Sequence, residues 1–463
     1  MNNHGGNIIP IKELDKYVKR KVNLLGVVLE FSFPRKSQGT DYVSVLRIVD
    51  ESQQSSELLV NIFTETIDQL PHVRSHGDFI LLNKVMIKKF DDEVSAVFYK
   101  NSSSFALFDG KPSRDLIPYQ SSQNFSLTEY EKDYICRLRH WCVGTKFSPG
   151  SDDYLLSLKD ISEKRYFDLV CKILYVSYDV NKDVWMLFVW DGTDAPPLSL
   201  YGKLDDEEQN PLPLHIESSP LDRETLCKFH PIGTVLRVTA DQVHENFGRR
   251  FTATGTWVRI RNMTCQVSSG LWHGFLQASS RVRLLSDTDN IVRDFKRRYK
   301  KRITGKHGRI PIWSNLSSQF LTVIDGKDAA FVTLMDILTY SKVNVRFCCI
   351  VRVVAIHPFQ LKDFGSPYGL SENKMRLTLE DPTARIHAIL CGEERVKFFE
   401  GTPPDILTTK INMLLGMPEH WNAKDDSNLT RNPPWIKCCI HLKKSDDGKN
   451  RLYYISCTRL ASR

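Results

Sequence analysis

Residues 43–63 read VSVLRIVDESQQSSELLVNIF, two apolar runs that meet at a turn around Asp50. Val, Ile and Phe are common in strands, and an Asp side chain can hydrogen-bond its own backbone and so close a tight turn. A third apolar run, VNLLGVVL, precedes them at 22–29. These segments therefore predict three consecutive strands, the last of which ends at Phe63.

The same pattern occurs twice more along the chain. The second copy consists of FDLVCKILYVSY at 167–178, VWMLFVWDGT at 184–193 and PLSLYG at 197–202. The third consists of NVRFCCIVRVVAI at 344–356, MRLTLEDPT at 375–383 and RIHAILCG at 385–392. An acid turn lies after the second strand of each copy, so we interpret the pattern as an internal repeat.

Each copy then passes through a more helical stretch and continues with two further strands. These are predicted at 78–90 and 104–108 in the first copy, 233–244 and 250–260 in the second, and 435–442 and 451–460 in the third. Five strands with a helix between the third and fourth are the layout of the OB-fold, a small Greek-key barrel. We predict an all-β dominated chain of three tandem OB-fold barrels joined by helical linkers; the alternative is three unrelated β-rich domains.

The predicted boundaries are 1–120 for the first barrel, 121–150 for a helical linker, 151–283 for the second barrel, 284–325 for a basic linker and 326–463 for the third barrel. Ser126 and Glu129 have capping-box spacing before the first linker helix. The segment 281–309 holds eleven Lys and Arg against three acids, and Gly305, Gly308 and Pro311 suggest a hinge after it. A nuclear import signal, a phosphate-binding arm and a solvated helix all fit this basic segment.

Composition is consistent with this organisation. At about 150 residues per domain, 463 residues correspond to about three domains. Hydrophobic residues make up 41% and charged residues 25%, which is typical of folded globular chains. There is no apolar run of about 18 residues and no signal-peptide pattern, so we expect a soluble intracellular protein with no membrane partner. The eleven cysteines, several in apolar runs, suit reduced thiols.

Signatures of catalysis and of cofactor binding are missing from the sequence. No C-x-x-C, phosphate-binding loop, H-E-x-x-H or G-x-S-x-G occurs. The acid clusters at 91–93 and 205–208 fall in polar segments, which favours solvated surface. We therefore expect a binding protein without metal or other cofactor; the alternative from another class is a metal-dependent nuclease that uses residues 205–208.

Aromatic and basic residues interleave where an OB barrel binds single strands. Such barrels stack bases on aromatic rings while Lys and Arg follow the phosphates. The first-copy candidates are Phe31, Phe33, Arg35, Lys36, Phe63, Lys84, Lys88 and Phe90. Core packing is the alternative for Phe31 and Phe33. In the second copy, Trp272 and His273 lie among Gly and Ser and are predicted in a binding loop, whereas Trp190 is predicted in the core.

Several longer strings resemble the protection-of-telomeres family, which binds the single-stranded 3′ overhang of chromosome ends. They are GTDYVSVLRIVD at 39–50, GVV at 26–28, HGD at 76–78, SFALFDG at 104–110, YFDLVCKIL at 166–174 and VWDGT at 189–193. The similarity is specific up to about residue 280. Over 330–463 it rests on barrel layout and position.

The resemblance implies DNA-contacting residues, which it places at Gly39, Thr40, Asp41, Phe63, Lys84, Phe90, Tyr166, and Trp272 or His273. It also implies a nuclear protein at chromosome ends, whose third barrel binds a telomere-capping partner or telomerase. Ser32 stands where the family has a basic residue, and the zinc-bearing module that larger members insert into the third barrel is missing.

The predicted function is sequence-specific binding of the G-rich telomeric strand through the first two barrels, for end protection and telomerase regulation. The alternatives are a telomerase accessory or scaffold that binds DNA weakly, and a general single-stranded DNA-binding protein.

Overall fold

The computed structural model describes residues 7–75, 77–110, 116–123, 125–145, 147, 152–163, 165–179, 184–201, 224, 234–240, 254–268, 270–305, 310–316, 319–325, 331–358, 374–399, 404–417, 430–445 and 450–461. Strands dominate these residues, as the repeat predicts. None of the helices in these ranges is long and apolar enough to cross a membrane.

The first barrel is a closed ring of five strands. They are β1 Lys21–Phe31, β3 Tyr42–Asp50, β4 Gln53–Thr64, β5 Phe79–Phe90 and β6 Glu93–Tyr99. β1 pairs with β3 and β5, β3 pairs with β4, β4 runs parallel to β6, and β6 pairs with β5. The short strands β2 Arg35–Lys36, β7 Ser104–Phe108 and β8 Gln120–Ser121 lie outside the ring.

The predicted fifth strand of this barrel, residues 104–108, is wrong. The ring closes through β6, and β7 instead pairs with β5 outside it. Asp91 and Asp92 form the turn between β5 and β6, and both have positive φ, at 45° and 64°. Two such residues make the type of turn whose twist suits a tight hairpin. The acid cluster at 91–93 therefore forms a hairpin turn and the first residue of β6. Between the third and fourth ring strands there is a single short 3-10 helix, Ile67–Gln69, among the described residues.

The second barrel closes in the same way. Its strands are β10 Phe167–Asp179, β11 Val184–Trp190, β13 Leu236–Ala240, β14 Trp257–Ser268 and β15 Leu271–Leu284. β10 pairs with β11 and β14, β11 pairs with β13, β13 runs parallel to β15, and β14 pairs with β15. The short strand β9 Leu155–Leu156 lies beside β10.

The predicted third strand of this barrel, at 197–202, is wrong. The predictions at 233–244 and 250–260 are confirmed in part, by β13 and by the start of β14, and residues 241–253 lie outside the described residues. The segment at 197–202 contributes β12 Leu200–Tyr201, which pairs with β20 Thr430–Arg431 from the third repeat. The ring uses β13 as its third strand, and the β14–β15 hairpin provides the fourth and fifth. The pairing of β12 with a strand some 230 residues away is a tertiary contact, which local periodicity does not reveal.

The third barrel confirms the strand predictions. Its strands are β17 Val345–His357, β18 Met375–Glu380, β19 Arg385–Leu390, β21 Trp435–Lys444 and β22 Arg451–Ser456, and they form a closed barrel. Helices α4 Gly392–Phe399 and α5 Pro404–Leu414 lie between the third and fourth strands, as predicted. Helix α3 Leu334–Thr339 precedes the barrel, and β16 Thr322–Ile324 pairs with β23 Thr458–Leu460.

A buried carboxylate ties each barrel together at its acid turn. Asp50, Asp191 and Asp381 are all less than 4% exposed. One oxygen accepts a backbone N–H from the segment that precedes the barrel: Ile11 at 2.8 Å, Leu158 at 2.9 Å and Leu334 at 2.7 Å, respectively. The other oxygen accepts the backbone N–H and hydroxyl of Ser52, Thr193 and Thr383. The repeated Asp therefore does more than close its turn.

The first two barrels are joined by a strand pair and a helix. β1 meets β15 at Phe31 and Val282. Helix α1 Glu129–Gly144 lies in the predicted first linker, but its capping box uses Thr128 and Glu131 in place of the predicted Ser126 and Glu129. The Thr128 hydroxyl accepts the Glu131 N–H, and the Glu131 carboxylate accepts the Thr128 N–H.

The basic linker is anchored, so the predicted hinge is wrong for its described part. It begins with helix α2 Asn290–Thr304, in which Val292 and Phe295 pack against the second barrel. Arg302 is 1% exposed and forms an ion pair with buried Asp194 at 2.8 Å. Ile310 and Ile312 then pack beside Ile350 and Trp435 of the third barrel. Gly308 lies outside the described residues.

Candidate nucleic-acid interface

Strand alternation determines which residues of the first barrel face outward. Leu46, Ile48, Val60 and Ile62 belong to its core, and their neighbours along each strand point the other way. Phe63 lies opposite Val43 on one side and Tyr99 on the other. Asn61 lies between Val45 and Val97 in the adjacent row. We call these two rows, across β3, β4 and β6, the first-barrel face.

One cation lies beside a ring of this face, and a second lies beside Tyr42, whose ring packs against the barrel core. The Lys36 Nζ is 4.1 Å from the centre of the Tyr42 ring, and the Lys88 Nζ is 5.6 Å from that of Tyr99. Phe63 is partly accessible, and Tyr99 is 39% exposed. Stacking surfaces and phosphate-neutralising charges are the two components that a sequence-tolerant single-strand site needs.

The loop before β3 borders the first-barrel face with exposed polar groups. Gly39 and Thr40 are exposed, and the Ser37 side chain accepts the Gly39 N–H at 3.2 Å. The Lys100 ammonium holds this loop by ion pairs with Asp41 at 2.9 Å and Glu65 at 3.0 Å. The hydrogen bond to Asp41, followed by that to Glu65, raises the pKa of Lys100. Asp41 is thereby fixed in place beside the first-barrel face.

The candidate binding residues on β5, the fourth ring strand, lie at two different places on the barrel: they are Lys84, Lys88 and Phe90. Phe90 ends β5 at the hairpin tip and is 78% exposed, close in the chain to Lys88. Lys84 is exposed but lines a polar cleft of about 800 Å³ at the end of the barrel, together with Lys21 and Lys100. The structure therefore brings Phe90 and Lys88 to one edge of the first-barrel face, and Lys84 to a neighbouring cleft.

Phe33 is a correction to the predicted site. Its side chain is 2% exposed and packs in the core of the second barrel, so it has no ring surface for a base. Phe31, 6.3 Å from Phe33 in an edge-to-face arrangement, is partly buried against the cores of both barrels. Both rings hold the two barrels together.

The surroundings of Ser32 explain why a serine stands where the family has a basic residue. Ser32 is 3% exposed, and its hydroxyl accepts the Val45 N–H at 2.8 Å. A cation at such a buried position is costly unless an acid pairs with it. The basic residues that follow are Arg35, which is partly buried opposite Val43, and Lys36, which is exposed opposite Tyr42.

The second barrel has a comparable outward row, which we call the second-barrel row: Tyr175, Phe188, Arg237 and His273 on four adjacent strands. The Arg237 guanidinium is 5.8 Å from the centre of the Phe188 ring, and Tyr175 is 6.0 Å from that ring. Phe188 itself is 2% exposed, which leaves Tyr175, Arg237 and His273 as the partly accessible members. Sequence analysis missed Tyr175 and Arg237, although alternation along their strands places them opposite the core positions.

His273 and Trp272 lie on β15, so the predicted loop position is wrong. They point to opposite faces of that strand. Trp272 packs against the barrel core and donates from Nε1 to the Pro196 carbonyl at 2.9 Å, whereas His273 belongs to the second-barrel row. Trp190 is fully buried, which confirms its predicted core position.

Tyr166 is 54% exposed one residue before β10. Nine residues of strand separate it from Tyr175, a distance of about 30 Å along an extended chain. The structure therefore does not bring Tyr166 into the second-barrel row.

Charged side chains connect the outer surfaces of the two barrels. Glu30 is fully buried and pairs with Arg261 of the second barrel at 2.8 Å; its other carboxylate oxygen is 4.0 Å from Arg47. Arg261 also reaches Asp168 at 3.1 Å. Burial, followed by the charge of Arg47, lowers the pKa of Arg281 in the same cluster. No sequence pattern links these residues.

Three five-stranded barrels with aromatic and basic residues on their outer faces define a tandem OB-fold protein. Residues 5–152 match the family described as "Telomeric single stranded DNA binding POT1/CDC13", 157–304 match "ssDNA-binding domain of telomere protection protein", and 317–448 match "POT1A-like, OB fold domain". The three matches correspond in order to the three barrels.

Whole-chain relatives give the same result. The chain is 36% identical to "Protection of telomeres protein 1a" of Arabidopsis thaliana over 98% of both chains. It is 36% identical to "Protection of telomeres protein 1b" of the same plant over 96% of this chain and 95% of that protein. "Protection of telomeres protein 1" of Homo sapiens is 35% identical over 38% of this chain and 26% of that protein. The chain belongs to the protection-of-telomeres family, which confirms the resemblance.

Proposed function

We propose that the first two barrels bind the G-rich single-stranded telomeric overhang in a sequence-specific way, at chromosome ends in the nucleus. The family that residues 5–152 match is described as binding telomeric single-stranded DNA, which supports the proposal. The observation that carries it is the first-barrel face, where Phe63 and Tyr99 lie side by side with Lys36 and Lys88 nearby.

The residues of the first-barrel face suggest how a strand is held. Bases stack on Phe63 and Tyr99, and the ammonium groups of Lys36 and Lys88 neutralise phosphates. The Asn61 amide, between Val45 and Val97, can donate to and accept from a base edge. Phe90 and the loop at Asp41 flank the strand on either side. Stacking supplies affinity, and the polar groups supply the discrimination between bases.

Binding without catalysis is part of the proposal. Asp91 and Asp92 form a hairpin turn, which accounts for one acid cluster. The cluster at 205–208 lies outside the described residues. Among the residues that the structure does describe, no group of three or more His, Cys, Asp or Glu could hold a metal ion. End-labelled telomeric strand should stay full length during prolonged incubation with Mg²⁺ or Mn²⁺, and shortened products would favour the nuclease.

The third barrel is proposed to bind a protein, either a telomere-capping partner or telomerase, through which the chain would regulate telomerase. Val396 on α4 and Ile406 on α5 are 40% and 43% exposed, respectively. Apolar side chains on neighbouring surface helices are suited to a protein contact. Loss of partner capture in Val396→Asp, with DNA affinity retained, is the expected result of a pull-down with purified candidates.

Phe63→Ala tests the proposed DNA site. Loss of one stacked base should weaken binding to the G-rich telomeric strand by about 1–3 kcal/mol, or about 5- to 150-fold in Kd. The measurement is a titration with labelled strand at two salt concentrations. Tyr130→Ala, which removes a 48% exposed ring from helix α1, is the matched control and should bind normally.

The same titration with the C-rich complement, a shuffled strand and oligo-dT separates the alternatives. Tight, salt-resistant binding of the G-rich strand alone is expected. Equal affinity for oligo-dT would favour a general single-strand binder, because stacking and phosphate contacts tolerate any base. Weak binding of all four strands that disappears at higher salt would leave a telomerase accessory or scaffold.

A further inference from the structure

A continuous row of outward residues, four of them polar or aromatic, crosses the five strands of the third barrel. Arg376 lies opposite Ile389, Ile389 opposite Tyr454, Tyr454 opposite His441, and His441 opposite Arg346. We call these five residues the third-barrel belt. They lie on all five strands of the ring, one residue on each.

The belt is on the outside of the barrel. Leu377, Ala388, Ile455 and Ile440 flank four of its members along their strands, and all four belong to the core. Because successive strand residues point to opposite faces, the belt residues point outward. Arg346 is exposed, and the other four are partly accessible.

The belt combines rings with positive charge. The Lys443 Nζ is 5.0 Å from the centre of the Tyr454 ring. Arg346 and Lys443 form no ion pair with an acid among the described residues. Burial, and then the charges of Lys443 and Arg346, lower the pKa of His441 and so favour its uncharged imidazole ring. Unneutralised cations beside aromatic rings favour a polyanion with stacking groups.

The belt is also equivalent to the first-barrel face. Arg376 lies five residues before the turn residue Asp381, as Val45 does before Asp50. Register then makes Ile389 the counterpart of Asn61 and Tyr454 the counterpart of Val97. The third barrel thus places one cation, Arg376, and one ring, Tyr454, on the strands that correspond to those of the proposed DNA site in the first barrel.

No strand pairing joins the described residues of the second barrel to the belt residues. Its contact with β17 is at Arg352, which donates to the Leu198 carbonyl at 2.7 Å. Arg352 is six residues from Arg346, about 20 Å along a strand. The exposed side chains of Val396 and Ile406 lie on helices, away from the belt strands.

We propose that the third-barrel belt is a separate binding surface for single-stranded nucleic acid. Tyr454 and His441 stack bases, and Arg346 and Lys443 contact phosphates. DNA and RNA both carry the phosphates and bases that this surface would bind. The inference does not depend on the telomeric sequence preference proposed for the first two barrels.

Photo-cross-linking of the full chain tests the belt directly. The probes are pyrimidine-rich 30-nucleotide DNA and RNA strands that carry 5-iodouracil, and mass spectrometry identifies the cross-linked peptides. A cross-link at Tyr454 or His441 is expected. Cross-links with DNA alone, RNA alone or both identify the ligand, whereas cross-links confined to the first two barrels would overturn the inference.

A charge-removal variant provides an independent readout. Arg346→Ala with Lys443→Ala should lower the Tyr454 cross-link yield at least fivefold. It should also reduce the slope of log affinity against log salt for the 30-nucleotide probe by about 1.4, since each lost phosphate contact on a single strand contributes about 0.7. Lys132→Ala with Lys397→Ala, two surface lysines paired with Glu, is the matched control. Equal slopes in the two variants, both with native thermal unfolding, would contradict the proposal.

Discussion

Single buried carboxylates organise the repeat at the residue scale. Asp381 is 3% exposed and accepts hydrogen bonds from four donors of Leu334, Thr383 and Ala384. Burial raises its pKa to about 6, despite the donors, which lower it. The sequence placed an Asp at this turn, whereas its contact with Leu334, 47 residues away, depends on the closed barrel.

We expect Asp381→Ala to destabilise the third barrel by about 3 kcal/mol. The substitution leaves several buried donors without an acceptor, and each unsatisfied donor costs about 1–3 kcal/mol before water or local movement compensates. Urea unfolding followed by the intrinsic tryptophan fluorescence of the chain measures the change. Glu393→Ala, at an exposed residue of α4, is the control and should unfold at the wild-type urea concentration. Equal midpoints for the two variants would show that the Asp381 bonds contribute little.

At the element scale, the β5–β6 hairpin determines how the first barrel closes. Periodicity indicated the apolar strands β1, β3, β4 and β5 but missed β6, because the polar letters at 91–93 look like a surface loop. Its register against β4 places Tyr99 beside Phe63 and so completes the first-barrel face. Because the turn at Asp91 and Asp92 was not predicted, the sequence analysis missed β6 and, with it, Tyr99.

We expect Asp92→Gly to stabilise the first barrel by up to about 1 kcal/mol. Asp92 has φ at 64°, a conformation that glycine adopts without steric cost. The lost ion pair with Lys89, at 3.7 Å on a fully exposed carboxylate, matters little. Thermal unfolding measures the change. Asp92→Val is the opposing variant, since a β-branched side chain is strained there; if it unfolds at the same temperature as Asp92→Gly, this turn geometry is wrong.

Contacts between barrels decide the arrangement of the whole molecule. The β1–β15 pairing, the Glu30 to Arg261 ion pair and the packing of Phe33 into the second barrel make the first two barrels one connected surface. The outer row that contains Arg47 leads directly to the Arg261 cluster. A strand bound on the first-barrel face can therefore continue toward the second barrel.

A double-mutant cycle at this junction tests that connection. Glu30→Gln and Arg261→Gln should show a coupling energy of about 1–3 kcal/mol in unfolding, because Arg261→Gln leaves the buried Glu30 carboxylate without its closer ion pair and Glu30→Gln leaves Arg261 with Asp168 alone. The same cycle on Lys16 and Glu13, an exposed pair, serves as the reference and should couple by less than about 0.5 kcal/mol. Additive effects at the junction would mean that this ion pair does not hold the barrels together.

The sequence by itself determined the three repeats, their OB layout, the family, and the aromatic and basic character of the first-barrel face. These follow from strand alternation and turn chemistry, which act between near neighbours in the chain. Phe63, Lys88 and Phe90 were found in this way. The third barrel was predicted correctly because its strands are long apolar runs with a helical segment between them.

Only the tertiary structure decided which side of each strand meets solvent and which strands pair at a distance. Phe33 looked like a stacking residue until the second barrel closed over it, and Trp272 and His273 separate only once β15 joins its ring. Arg302 belongs to the basic segment for which an import signal, a phosphate-binding arm and a solvated helix all fitted the sequence. It is buried and paired with Asp194, more than a hundred residues away. The physical reason is common to these cases: burial and ion pairing depend on partners brought together by long-range packing, which no local pattern specifies.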